Sequence, residues 1–179
     1  MKTTQIQIAG FGGQGILFSG KFLAYKGLVE ELQVSWLPSY GPEMRGGTAN
    51  CNVILSDDPI GSPIITTPDV LVAMNLPSLL KYVDTVAAGG QIYVDSSLID
   101  VKVERDDVDV FYIPATQMAK DEGIASLANM IMVGALLENN PELTFDGVAA
   151  VVDNLVPPKK AALKDLNMKA LQLGKDYKN

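Results

Sequence analysis

Polar and apolar positions alternate over Gln5–Ala9, then run apolar into a glycine turn, GFGGQGI (10–16), as expected of a first buried strand. Beyond the turn the period changes. Ile16, Phe18, Phe22, Leu23 and Tyr25 supply one side of a helix over Gly13–Leu28, with Gly27 close to its end. LQVSWL (32–37) predicts a second strand. PSYGPEMRGG (38–47) predicts a loop, because two prolines and three glycines would break any regular element. TANCNVILS (48–56) reads as a strand, and DDPIGSP (57–63) as a turn into a short return strand around Ile64 and Ile65, the two forming an inserted hairpin. VLVAM (70–74), QIYVD (91–95) and VFYIP (110–114) are further strands, the first two separated by a helix near Pro77–Val86.

After Pro114 the pattern turns helical, through LANMIMVGALLEN (127–139) and FDGVAAVVDNLV (145–156) to KKAALKDLNMKALQLGKDY (159–177). In the last segment Leu163, Leu166, Ala170 and Leu173 recur at three- and four-residue steps, while Lys159, Lys160, Lys164, Asp165 and Lys169 cover much of the rest. One face is predicted to be buried, against the chain's own sheet or against another subunit. Strands alternating with helices predict an α/β fold: a single Rossmann-like domain over residues 1–179, with a mostly parallel sheet, an inserted β-hairpin and C-terminal helices.

A chain of 179 residues, 47% of them apolar, is enough for one substantial core. Fourteen Lys and Arg against twenty-one Asp and Glu give a net charge of -7, which argues against a surface that tracks nucleic-acid phosphates. Cys51 is the only cysteine, so the chain can form no internal disulfide, thiolate zinc site or iron–sulfur cluster of its own. In a strand pattern it reads as a small buried hydrophobe. There is no histidine, which removes Ser-His and Cys-His nucleophile pairs and imidazole metal ligands. Asp57, Asp58, Asp106, Asp107 and Asp109 read as solvated turns. The amino terminus has too short an apolar run for a signal peptide and no later stretch approaches a membrane span, so the expectation is a cytoplasmic protein.

In a strand–turn–helix unit, Gly10 permits the tight turn, Gly12 lets backbone approach a ligand, and Gly15 lets the helix pack on the strand. Amides at the helix start, with the positive end of its dipole, favour phosphate or another anion. Glycines at such a turn also serve close packing alone, and both readings stand on this motif. A nicotinamide site further needs an acid at the end of the second strand, roughly twenty residues on. Here that stretch reads SWLPSYG and holds none, the next acid being Glu43. Hydride transfer loses weight accordingly.

A second constellation lies in SYGPEMRGGTANCNV (39–53). Tyr40 offers an aromatic face and a hydroxyl, and Glu43 and Arg45 are opposite charges two apart. The guanidinium fork of Arg45 matches carboxylate or phosphate oxygens, and a Glu–Arg surface pair is the simpler alternative.

GFGGQGI, SYGPEMRGGTANCNVILSDDPIGSP and NMIMVGAL (129–136) together closely resemble the gamma subunit of 2-oxoacid:ferredoxin oxidoreductases, over about Ile6 to Leu137. YGPEMRGGTANC looks most like the 2-oxoglutarate branch, with the branched-chain 2-oxoacid and pyruvate enzymes next. The resemblance implies a complex that converts a 2-oxoacid, coenzyme A and oxidised ferredoxin to acyl-CoA, carbon dioxide and reduced ferredoxin. Alpha and beta chains would carry thiamine diphosphate, a small ferredoxin-like chain or domain would carry iron–sulfur clusters, and the gamma chain would carry neither. It further implies coenzyme A contacts at Gly12, Gly13, Gln14, Gly15, Tyr40 and Arg45, with the diphosphate against Gly12–Gly15. A free-standing dinucleotide-dependent oxidoreductase and a pure assembly domain with an empty glycine loop are the alternatives.

Overall fold

The computed structural model describes residues 3–39 and 48–178. The chain opens with strand β1 (Thr4–Phe11), the glycine turn and helix α1 (Ile16–Val29), followed by β2 (Gln33–Ser39), β3 (Thr48–Ser56) and β4 (Val70–Ala73). Helix α2 (Leu76–Tyr82), β5 (Gln91–Asp95), β6 (Asp109–Ile113) and α3 (Ala115–Asp121) follow. Three helices complete the fold: α4 (Ala128–Asn139), α5 (Val148–Leu155) and α6 (Ala161–Asp176).

The strands form one sheet in the order β2-β3-β1-β4-β5-β6. β1, β4, β5 and β6 are mutually parallel, while β3 is antiparallel to both β1 and β2. The sheet is therefore mostly parallel, with β3 alone running against the rest. Parallel strands buried on both faces read as near-continuous apolar runs, and all four residues of β4 and all five of β5 are buried.

The hairpin is not where the sequence places it. Residues 57–69 contain no strand, and Ile64 is 65% exposed. Both edges of β3 are already paired, one to β1 and one to β2, so no edge remains for a return strand. Pro59, Pro63 and Pro68 also remove three main-chain donors that a ladder would need. The antiparallel pair is β2 with β3, and it brackets residues 40–47.

Side chains pointing to opposite faces of the sheet feed two cores. Ile6, Ile8, Val70, Val72 and Tyr93 pack beneath the helices that include α1 and α4, with the Tyr93 and Phe111 rings stacked at 4.7 Å. Leu71, Ala73, Ile92 and Val94 face the other way, toward Leu79 of α2.

Helix α6 packs on α4 of its own chain, on a face rotated from the predicted one, with which it shares buried Ala170 and half-buried Leu173. Asn167, Ala170, Leu171 and Gly174 are buried, whereas Leu163 and Leu166 are 39% and 37% exposed. The cause is backbone contact. A Cβ at Gly134 would run into the Leu171 carbonyl oxygen, and one at Gly174 into the Ile131 carbonyl oxygen. Helices that approach this closely turn their small residues inward, and the leucine stripe rotates toward the edge.

Candidate functional site: the glycine turn

The turn lies at the carboxyl end of β1, beside the carboxyl end of parallel β4, where α1 and α2 leave toward opposite faces of the sheet. That is the crevice where open α/β sheets bind ligands. Gly13 (φ 91°) and Gly15 (φ 76°) adopt the left-handed region, which defers the helix start to Ile16, three residues later than the apolar period predicts.

Gln14 braces the turn with its side chain. Oε1 accepts from the Phe11 amide at 2.6 Å, and Nε2 donates to the Met74 carbonyl at 2.9 Å. Both polar ends are thereby engaged within the chain, and the Gln14 main-chain N–H donates to the Phe11 carbonyl at 3.3 Å. On the far side, Asn129 Nδ2 donates to the Gly15 carbonyl at 3.1 Å and to Ser19 Oγ at 3.0 Å.

The amino-terminal amides of α1 have no side-chain cap, and its first turn carries no acid. Uncapped amides with the positive dipole end form an anion-binding surface. Two clefts open beside it. One of about 370 Å³ is lined by Gly13, Gly15, Phe18, Asn129, Lys160 and Leu163 among others, and one of about 280 Å³ by Phe11, Gly12, Ile16 and Ala49 among others. Another hollow, about 550 Å³, lies at the opposite end of the strands. Asp69, Asp109 and Glu142 line it, which suits no anion.

The structure thus brings Gly12, Gly13, Gln14 and Gly15 together at one edge. Tyr40 and Arg45, with Glu43, lie outside the described residues. The flanking strands bring Ser39 opposite Asn50 and Thr48 opposite Phe11, so both ends of that segment start from the same edge as the turn. Sequence reasoning gave no role to Asn129 or Met74. A main-chain carbonyl leaves no trace in sequence. Asn129 does leave one, as a polar residue opening a helix that is otherwise apolar for nine positions.

Cys51 is fully buried on β3 with its Sγ 3.4 Å from the Ile16 carbonyl, and burial pushes its thiol up to about 12. It is a packing residue and not a thiolate nucleophile. Among the described residues no group of three His, Cys, Asp or Glu side chains is placed to hold a metal ion, and no helix is long and apolar enough to cross a membrane.

The chain is 37% identical over 179 residues to the 2-oxoglutarate synthase subunit KorC of Methanothermobacter marburgensis, covering 96% of this chain and 95% of that one. The gamma subunit of a keto/oxoacid ferredoxin oxidoreductase from Geobacter sulfurreducens superposes with a TM-score of 0.80 at 29% identity, covering 96% and 95% of the two chains. The 2-oxoglutarate:ferredoxin oxidoreductase of Magnetococcus marinus, solved with 2-oxoglutarate, coenzyme A and succinyl-CoA bound, superposes with a TM-score of 0.86 at 26% identity, over 98% of this chain and 31% of that one. The chain likewise spans only 37% and 28% of the length of two longer curated relatives. A family model described as pyruvate ferredoxin/flavodoxin oxidoreductase matches residues 5–177, and the chain belongs to that family.

Proposed function

We propose that this chain is the gamma subunit of a cytoplasmic 2-oxoacid:ferredoxin oxidoreductase, folded as one domain over residues 1–179, and that its glycine turn faces a phosphate of coenzyme A. The complex oxidatively decarboxylates a 2-oxoacid, of the 2-oxoglutarate branch, transferring the acyl group to coenzyme A and the electrons to ferredoxin. Support for the subunit role comes from the match along nearly the whole length of KorC and of the Geobacter gamma subunit. The single observation that carries the ligand reading is the uncapped amino terminus of α1 beside Gly12–Gly15. It agrees with coenzyme A in the Magnetococcus structure.

Thiamine diphosphate with its metal, and iron–sulfur clusters, are assigned to alpha, beta and ferredoxin-like partner chains. One cysteine and the lack of a metal-ligand cluster among the described residues do not fit either group here. No step of the chemistry is routed through this chain. Its contribution is to hold and orient coenzyme A. The dinucleotide-enzyme reading gains nothing, since β2 ends in Trp36, Leu37, Pro38 and Ser39 with no carboxylate for a ribose.

Arg45→Ala in the assembled complex tests the ligand reading. Losing a charge-assisted phosphate contact, worth about 1.5–3 kcal/mol, raises the Michaelis constant for coenzyme A about ten- to a hundredfold and leaves that for the 2-oxoacid unchanged. An unchanged coenzyme A constant in a fully assembled variant removes Arg45 from the site. Loss of subunits with intact coenzyme A affinity assigns it to an interface.

A further inference from the structure

We infer that Asn129 is a positioning residue: it aims the amides at the start of α1 toward the ligand of the glycine turn. The inference rests on the coenzyme A reading above. Asn129 is 3% exposed and 114 residues from Gly15 in sequence, yet its Nδ2 reaches both the Gly15 carbonyl and Ser19 Oγ.

The amide's orientation follows from its partner. Reversed, its Oδ1 would face the Gly15 carbonyl oxygen, acceptor against acceptor. As held, Oδ1 has no donor among the described residues. That unpaired acceptor is a cost set by the two hydrogen bonds that Nδ2 makes to Gly15 and Ser19.

What Asn129 fixes is a peptide plane. Gly15 is left-handed (φ 76°, ψ 17°), and its carbonyl also closes the first helical turn by accepting from Ser19 N at 3.0 Å. Because the peptide unit is planar and trans, holding that carbonyl toward α4 sets the Ile16 N–H the opposite way, out of the amino terminus of the helix. Glycine and asparagine form a matched pair here, since a Cβ on Gly15 would collide with the Asn129 amide. Without that amide the Gly15 carbonyl keeps only the Ser19 N–H, and a turn carrying left-handed glycines at 13 and 15 has more freedom to rotate its donors off the ligand. The same contact links the turn to the α4–α6 layer, whose helices meet backbone to backbone.

The test uses the assembled complex with Asn129→Ala and, should that variant fold poorly, Asn129→Ser, which is shorter by the reach of the amide. Ser19→Ala is the control, because it removes the helix-to-helix bond and leaves the Gly15 bond. Asn129→Ala is expected to raise the Michaelis constant for coenzyme A about tenfold, with kcat and the 2-oxoacid constant within about twofold of wild type. Ser19→Ala is expected to leave all three near wild type. An unchanged coenzyme A constant in either folded Asn129 variant, or an equal rise in Ser19→Ala, overturns the positioning role. Hydrogen exchange on the same preparations separates this from the underlying reading. In wild type, coenzyme A should slow exchange over residues 12–18, and in Asn129→Ala about ten times more should be needed. No protection in wild type overturns the coenzyme A reading and the positioning role with it. Protection at equal concentrations in both overturns the positioning role alone.

Discussion

Gln14 Nε2 donates to the Met74 carbonyl at 2.9 Å, tying the glycine turn to the end of the neighbouring parallel strand sixty residues later. The side chain thus braces the crevice in which a ligand is proposed.

Gln14→Ala leaves the Phe11 amide and the Met74 carbonyl without these partners, and should destabilise the chain by about 1–3 kcal/mol. Gln14→Glu should cost at least as much, because a carboxylate oxygen then faces the Met74 carbonyl where a donor stood. Denaturant midpoints of the two variants check this. A loss below about 0.5 kcal/mol in both would show that the brace does not hold the turn.

Gly134→Ala and Gly174→Ala should each destabilise by about 3 kcal/mol, the upper end of overpacking costs, because the obstacle is main chain and cannot rotate away. Gly61→Ala is the control, since a Cβ there meets nothing within 4 Å. Thermal unfolding of the three variants reads the difference.

The observed face of α6 can be measured directly. Leu171→Ala, at a fully buried position, should cost about 2–5 kcal/mol. Leu163→Ala, more than a third exposed, should cost less than about 1 kcal/mol. The opposite ranking would restore the leucine stripe as the buried face.

Burial raises the Cys51 thiol from an ordinary 9.0 to about 12. A folded-state value above the unfolded one means that this stabilisation is complete below pH 9 and is lost as pH rises toward 12. At pH 10 the loss from this group should be about 1.4 kcal/mol. Cys51→Ala should therefore show a shallower alkaline decline than wild type. Identical slopes between pH 8 and 10 would show that the thiol is not held neutral by the fold.

Much of the sheet was legible because its central strands, such as β4 and β5, are buried on both faces and read as short apolar runs between turn residues. β3 and β5 coincide with their predicted limits, Thr48–Ser56 and Gln91–Asp95. The return strand at Ile64 and Ile65 failed because strand propensity says nothing about whether a sheet edge is free. The α6 face was only half legible for a related reason, Ala170 and Leu173 packing inward as predicted and Leu163 and Leu166 not. A period of apolar residues shows that a helix has a buried side, but Gly134 and Gly174 decide which side can come closest to α4. At the site, the glycines announced the turn, since their left-handed conformations are tied to residue type. The Gln14 brace and the Asn129 latch depend on the Met74 and Gly15 carbonyls, and a main-chain acceptor is not marked by residue type.

Purification of this chain from its native host at native expression, followed by assay of what accompanies it, decides whether it is a 2-oxoacid:ferredoxin oxidoreductase subunit. The account predicts larger partner chains carrying thiamine diphosphate and iron–sulfur clusters, and reduction of ferredoxin that requires both a 2-oxoacid and coenzyme A. A chain that purifies alone, or with partners whose ferredoxin reduction does not require coenzyme A, would contradict it.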